Sequence, residues 1–343
     1  MKFLLGLILG FTFDPSITQA ETTQNDENIL HIYSSRHYNT DEALYENFTK
    51  QTGIKIQRID GKGDALIARL QQEGDKSPAD LLITVDSGRL WRAEEAGLFE
   101  PIKSKKLNKA IPANLRHDNG QWYGFSKRAR ILVYNNDKIE KGALTSYQDL
   151  ADPKYKGRVC IRSSSNIYNL SLMASMIAMN GEEKAKNWAQ GVLNNLARKP
   201  QGGDTDQIKA VAANLCDIAL VNSYYFYRLQ RSNKQEDQNV VANLMTVFPN
   251  QKTDGTHINI SGAGVLKHSD NKEAAVQFLE YLVTSEAQKY FADGNNEFPV
   301  VKKTEVNDLV KKDLGFKEQK INVQEFGKNQ QKAKMIFDEI KFP

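Results

Sequence analysis

Tyrosine stands at three places where an extended apolar run of the chain gives way to a helix-forming one. The first is Ser34-Ser35-Arg36-His37-Tyr38 and the second is Ser163-Ser164-Ser165-Asn166-Ile167-Tyr168. At the third, Asn222-Ser223-Tyr224-Tyr225, two tyrosines come together. In an open α/β sheet, ligands bind in the crevice beyond the carboxyl ends of the strands. Tyr38, Tyr168, Tyr224 and Tyr225 are therefore the candidates for chemistry. An ionised phenol is a hard oxygen donor, and hard donors suit hard cations. Its ordinary pKa is about 10, so four phenols stay protonated near neutrality unless a strong local charge draws the protons off. A bound trivalent cation supplies such a charge, and a helix N-terminus just past each tyrosine adds partial positive charge.

Four phenolates around Fe3+ leave one negative charge over, so a nearby cation is expected. Arg128, in Lys127-Arg128-Ala129-Arg130, and Arg228, one turn beyond Tyr224, are the candidates. Either also suits an anion that completes the metal's coordination. A lone tyrosine ordinarily packs its ring and leaves its hydroxyl at the surface. Tyr33, Tyr45, Tyr134, Tyr227, Tyr281 and Tyr290 read that way, as would Tyr38 or Tyr168 in isolation; the joint placement at three junctions is what points to a site. His37 has three open roles: a ligand, a partner of the Tyr38 hydroxyl, or a solvated side chain. His31, His117, His257 and His268 are scattered and show no metal-ligand spacing.

The elements that must position these residues follow from the apolar pattern. Residues 29–34, 54–59 and 81–85 read as strands, separated by helices that start near Asn39 or Thr40 and at Asp64. Gly53 stops the first of these helices. This β-α-β-α-β order predicts an open parallel sheet with helices on both faces. A second unit begins after Gly124, with strands at 130–134, 156–162 and 216–221 and helices at 168–179 and 224–231. Two or three short strands fall between residues 247 and 267. Residues 271–283 form an amphipathic helix, with Ala275, Leu279 and Leu282 on one face. Two α/β lobes are expected.

The chain has 343 residues, 40% hydrophobic and 26% charged, with a net charge of +4. That length suggests two domains, and the charge is interspersed rather than gathered into a basic block that would grip nucleic acid. Lys2, the apolar run from Phe3 to Phe11 and Thr18-Gln19-Ala20 have the form of a cleavable signal peptide over residues 1–20; a retained anchor is the alternative. Export puts Cys160 and Cys216 in an oxidising compartment, where an even pair is a disulfide candidate. Two buried free thiols are the other reading.

The chain resembles the ferric-iron-binding proteins of bacterial ABC importers, closest to the cyanobacterial FutA type. The residues that carry the resemblance are His37-Tyr38, the stretch from Ala79 to Asp86, the stretch from Ser126 to Asn135, the Tyr224-Tyr225 pair and Asn296-Glu297-Phe298-Pro299-Val300. The resemblance implies a two-lobed periplasmic solute-binding fold of the Venus-flytrap type II kind, hinged on crossing strands. One lobe would comprise residues 27–125 with 250–298, the other 126–249 with 299–343. It implies Tyr38, Tyr168, Tyr224 and Tyr225 as the ligands of Fe3+, and retention of all four favours the branch that needs no exogenous anion. It further implies a periplasmic, monomeric protein that delivers iron to an ABC transporter permease in the inner membrane.

Two other classes of function remain for comparison. A hydrolase is disfavoured because Ser163-Ser164-Ser165 lacks the GxSxG elbow. A phosphate loop, an HExxH helix and a dinucleotide fingerprint are likewise missing. A same-fold binding protein for a polyamine, sugar or thiamine would use carboxylates or tryptophans at the cleft, whereas Trp91, Trp122 and Trp188 fall outside the three junctions.

Overall fold

The computed structural model describes residues 28–36 and 38–343. The expected targeting segment, residues 1–20, and His37 lie outside the described residues. Strand β1 (Ile29–Ser34) leads through residues 35–38 and a single 3-10 turn into α1 (Glu42–Thr52). The N-cap position of the helix falls on Asp41 rather than on Asn39 or Thr40, without a side-chain bond to the helix. Its carboxylate is instead held by Arg36, whose Nε and Nη2 donate at 2.9 and 3.1 Å. Gly53 ends the helix at φ 75°, the left-handed conformation that costs glycine nothing.

The chain continues through β2 (Lys55–Asp60), α2 (Gly63–Glu73), β3 (Leu81–Val85), α3 (Ser87–Glu95) and α4 (Lys105–Ala110). Strand β4 (Tyr123–Asn135) is long, and β5 (Val159–Cys160) is short. Helices α5 (Ile167–Asn180), α6 (Glu182–Asn194) and α7 (Asp204–Ala212) precede β6 (Ile218–Asn222) and α8 (Ser223–Gln230). Then come α9 (Gln235–Val241), β7 (Leu244–Val247), β8 (Ile258–Val265), α10 (Lys272–Tyr281), α11 (Ser285–Lys289) and β9 (Phe298–Pro299). The chain closes with α12 (Asp308–Asp313), α13 (Gln324–Lys328) and α14 (Gln330–Glu339).

The strands run in the order β2-β1-β3-β8-β4-β6-β5, with β7 and β9 also paired to β4. The β2-β1-β3 part is parallel, as the alternation of strands and helices requires. The second part differs from the expected parallel sheet: β5 and β6 are parallel, but β4 is antiparallel to β6, β7 and β8. The reason is the length of β4. Residues up to Ala129 pair with β8, and from Arg130 onward the same strand pairs with β6. One strand thus belongs to both lobes, and it runs against its neighbours in each.

Both faces of the second-lobe sheet are buried, so its strands read as continuous apolar runs rather than alternating ones. Leu132, Tyr134, Ile218 and Leu220 join the main core, while Ile131, Val133, Ala219 and Val221 join a second cluster with Ile208, Phe226 and Val310. Short helix α13 packs against both α3 and α5 and so wedges between the lobes. Cys160 and Cys216 are joined at an S–S distance of 2.09 Å, closing a sequence separation of 56 residues. Among the described residues no helix is long and apolar enough to cross a membrane.

Candidate metal centre

The strand-to-helix junctions converge. Tyr38 follows β1, Tyr168 is the second residue of α5, and Tyr224 and Tyr225 open α8 directly after β6. The Tyr168 and Tyr224 hydroxyl oxygens are 3.3 Å apart. The Tyr38 ring meets Tyr224 edge-on at 6.4 Å, and the Tyr224 and Tyr225 centroids are 4.2 Å apart. Four side chains separated by as many as 187 positions in the chain thus share one cluster. By contrast Tyr33, Tyr45, Tyr134, Tyr227 and Tyr281 are packed in the cores.

Two helix N-termini are tied to one carboxylate. Asp204, fully buried at the start of α7, accepts from Arg130 Nη1 at 2.7 Å and from the Asn222 backbone N–H at 2.7 Å. Arg130 Nη2 donates to Asn169 Oδ1 at 2.8 Å, beside Tyr168, and Asn222 is the N-cap residue of the Tyr224-Tyr225 helix. Breaking one partner of such a buried pair strands the other charge. The register of three tyrosines is therefore set from beneath.

Arginines surround the cluster. Arg228, exposed, lies 5.4 Å from the Tyr38 centroid, 5.7 Å from Tyr224 and 5.4 Å from Tyr225. Arg36 stands 5.0 Å from the Tyr38 ring, and Arg128, Arg130 and Arg162 flank Tyr168 at 5.7, 5.8 and 5.4 Å. The sequence singled out Arg128 and Arg228 and missed the other three. A signal for Arg130 was available, since residues two apart on a strand share a face. Asp41 and Glu297 pair with Arg36, Asp86 faces Arg128, and Asp204 pairs with Arg130.

At formal charges, five arginines against these four carboxylates leave one positive charge. Ionising all four phenols would turn that into three negative charges, the complement of a trivalent cation. Without such a cation Tyr38, Tyr224 and Tyr225 resist ionisation. Burial, helped by Glu297, pushes the Tyr38 phenol up to about 12. Burial and then the neighbouring phenols hold Tyr224 well above its ordinary value, and Tyr225 is raised for the same reasons. Arg128 is 2% exposed, yet its Nε and Nη2 have no hydrogen-bond partner among the described residues. Negative charge arriving next to it would remove that deficit.

Other donor sets are missing nearby. Among the described residues no group of three or more His, Cys, Asp or Glu side chains could hold a metal. The tryptophans are committed elsewhere: Trp122 donates to Glu94 at 2.8 Å and Trp188 to the Tyr147 carbonyl at 2.7 Å. Trp91 packs on Gly327.

Two lobes joined by a shared strand, with a polar site between their strand ends, define a solute-binding protein. Residues 76–316 match the family described as bacterial extracellular solute-binding protein, and the chain belongs to it. Within that family it sits among the FutA-type ferric-iron-binding members. It is 48% identical over 313 residues to iron uptake protein A2 of Synechocystis, covering 91% of this chain and 89% of that protein. It is 31% identical to the major ferric iron-binding protein of Neisseria meningitidis, covering 78% of this chain and 80% of that protein. A solved structure of Trichodesmium FutA with iron and citrate superposes with a TM-score of 0.89 at 53% identity, covering 92% of this chain and all of that one. These relatives are uptake and binding proteins, not enzymes.

Proposed function

We propose that this chain binds ferric iron through the phenolates of Tyr38, Tyr168, Tyr224 and Tyr225 and delivers it to an ABC importer. The observation that carries this reading is the clustering of four phenols in a site whose fully ionised charge complements a trivalent cation. Residues 1–20 act as a cleavable signal, which places the mature protein in the periplasm. The lobes are residues 27–125 with 250–298 and residues 126–249 with 299–343.

In the iron-free site Tyr38, Tyr224 and Tyr225 are neutral, because burial penalises the phenolate. Iron binding expels their protons, so affinity falls as pH falls. Tyr168, Tyr224 and Tyr225 engage the ion from one lobe, and Tyr38 completes the shell from the other. Arg128, Arg228 and Arg36 then offset the charge of the phenolate cage. Closure is a population shift about β4, where the strand changes partners between Ala129 and Arg130. The permease of the inner membrane recognises the closed form of the monomer.

A visible spectrum recorded during titration with ferric citrate tests this. A phenolate-to-iron charge-transfer band saturating at one equivalent is expected. Tyr225→Phe should lose most of it and bind iron more weakly by about a hundredfold or more, beyond the loss usual for a residue outside the ligand shell. The variant's iron-free thermal midpoint should stay near the parent's, because the hydroxyl removed is a desolvated one. A colourless titration would transfer the cluster to an organic solute.

A further inference from the structure

Asp86 is the residue at which both lobes and both long strands meet, and it belongs to no ligand set. It follows β3 with φ 84° and ψ 123°, a backbone conformation that residues with a side chain rarely adopt. Such a conformation persists where the surroundings over-determine it. Its side chain is fully buried. Oδ1 accepts from the Gly88 backbone N–H at 3.0 Å and from Ser171 Oγ at 2.6 Å. Oδ2 accepts from Asn259 Nδ2 at 2.9 Å and lies 3.8 Å from Arg128 Nη2. One carboxylate therefore touches α3, α5, β8 and β4. Ser171 sits three residues after Tyr168 on α5, so the two share a face of that helix.

We propose that the Asp86–Ser171 hydrogen bond is a latch that holds the first lobe to the Tyr168 helix when the cleft is shut, and so sets how slowly iron leaves. Asp86 and Ser171 act as positioning residues and do not touch the metal. The backbone of Asp86 sets one carboxylate so that it meets Gly88 and Asn259 of the first lobe and Ser171 of α5 together, and opening the cleft would draw Ser171 away from it. The inference rests on the proposed iron-binding role of the cleft.

The test is the rate at which iron-loaded protein surrenders iron to an excess of a hydroxamate chelator, read both as band decay and as iron retained on the protein. Ser171→Ala should keep the band position and the one-equivalent stoichiometry yet release iron about tenfold faster, the scale of a hydrogen bond to a charged acceptor. Ser269→Ala is the matched control. Ser269 Oγ donates to Asp80 Oδ1 at 2.7 Å, the same pairing inside the first lobe and away from the cleft. That variant should release iron at the parent rate. A parent-like rate in Ser171→Ala, or equal acceleration in Ser269→Ala, overturns the latch. If the parent holds iron with no tyrosinate band, the tyrosine assignment fails while retained iron still reports on the latch. If it holds no iron at all, both fail.

Discussion

Buried polar groups need partners, and the residues that look least satisfied here mark where charge is expected or excluded. Arg128 keeps two unpartnered donors beside Tyr168, the side that phenolate formation would make negative. His257 shows the opposite case. It is 2% exposed at the entry to β8, with its ring 4.7 Å from Phe326. Burial first, and Arg130 next, hold its imidazole down to about 3. An unfolded histidine protonates near 6.5. Because the folded value is depressed, this contribution to stability is complete above about pH 6.5 and is lost as pH falls toward 3. Near pH 4.5 the loss from this group amounts to about 2–3 kcal/mol. His257→Gln should therefore lose less thermal stability than the parent between about pH 7.5 and about pH 4.5. Equal losses would mean that the imidazole is not held neutral.

The four candidate ligands ride on three strand-to-helix elements, with Tyr224 and Tyr225 sharing one, and those elements are held from below. The N-termini of α5 and α8 both hang from the Arg130–Asp204 pair, whereas Tyr38 hangs from the Arg36 pairing with Asp41 and Glu297. Helix α13 joins α5 to α3. A Cβ on Gly327 would fall 2.2 Å from the Trp91 Cβ on α3, closer than any real pair of side-chain carbons. Gly327→Ala should therefore force α13 off α3 and cost about 1–3 kcal/mol, measured as a lower denaturation midpoint of the iron-free protein. A neutral result would mean that the wedge is free to slide.

At the scale of the molecule, β4 is common property of both lobes, so relative motion must be absorbed where it changes partners. The bond between Cys160 and Cys216 braces one lobe, joining the end of β5 to the segment that enters β6. Closing a separation of 56 residues restricts the unfolded chain. Replacing both cysteines by serine should lower stability by about 2–5 kcal/mol in chemical denaturation. The charge-transfer band should survive, since neither sulfur is among the proposed ligands. The family match extends across both lobes, which is what a function shared between them requires.

Much of the site was legible in the chain because it obeys local rules. Strand ends, helix starts and the tyrosines at those junctions follow from apolar periodicity and capping chemistry, which act within a few residues. The first parallel unit and the amphipathic helix at 272–281 were readable for the same reason. The double pairing of β4 and the mixed direction of the second sheet were not, since both faces there are buried and alternation disappears. Arg36, Asp86, Asp204 and Glu297 carried no local signal as site residues, because a surface charge and a buried one are spelled alike. Periodicity is a property of neighbours along the chain; charge balance, burial and the meeting of two lobes depend on neighbours in space, and only the tertiary structure decides those.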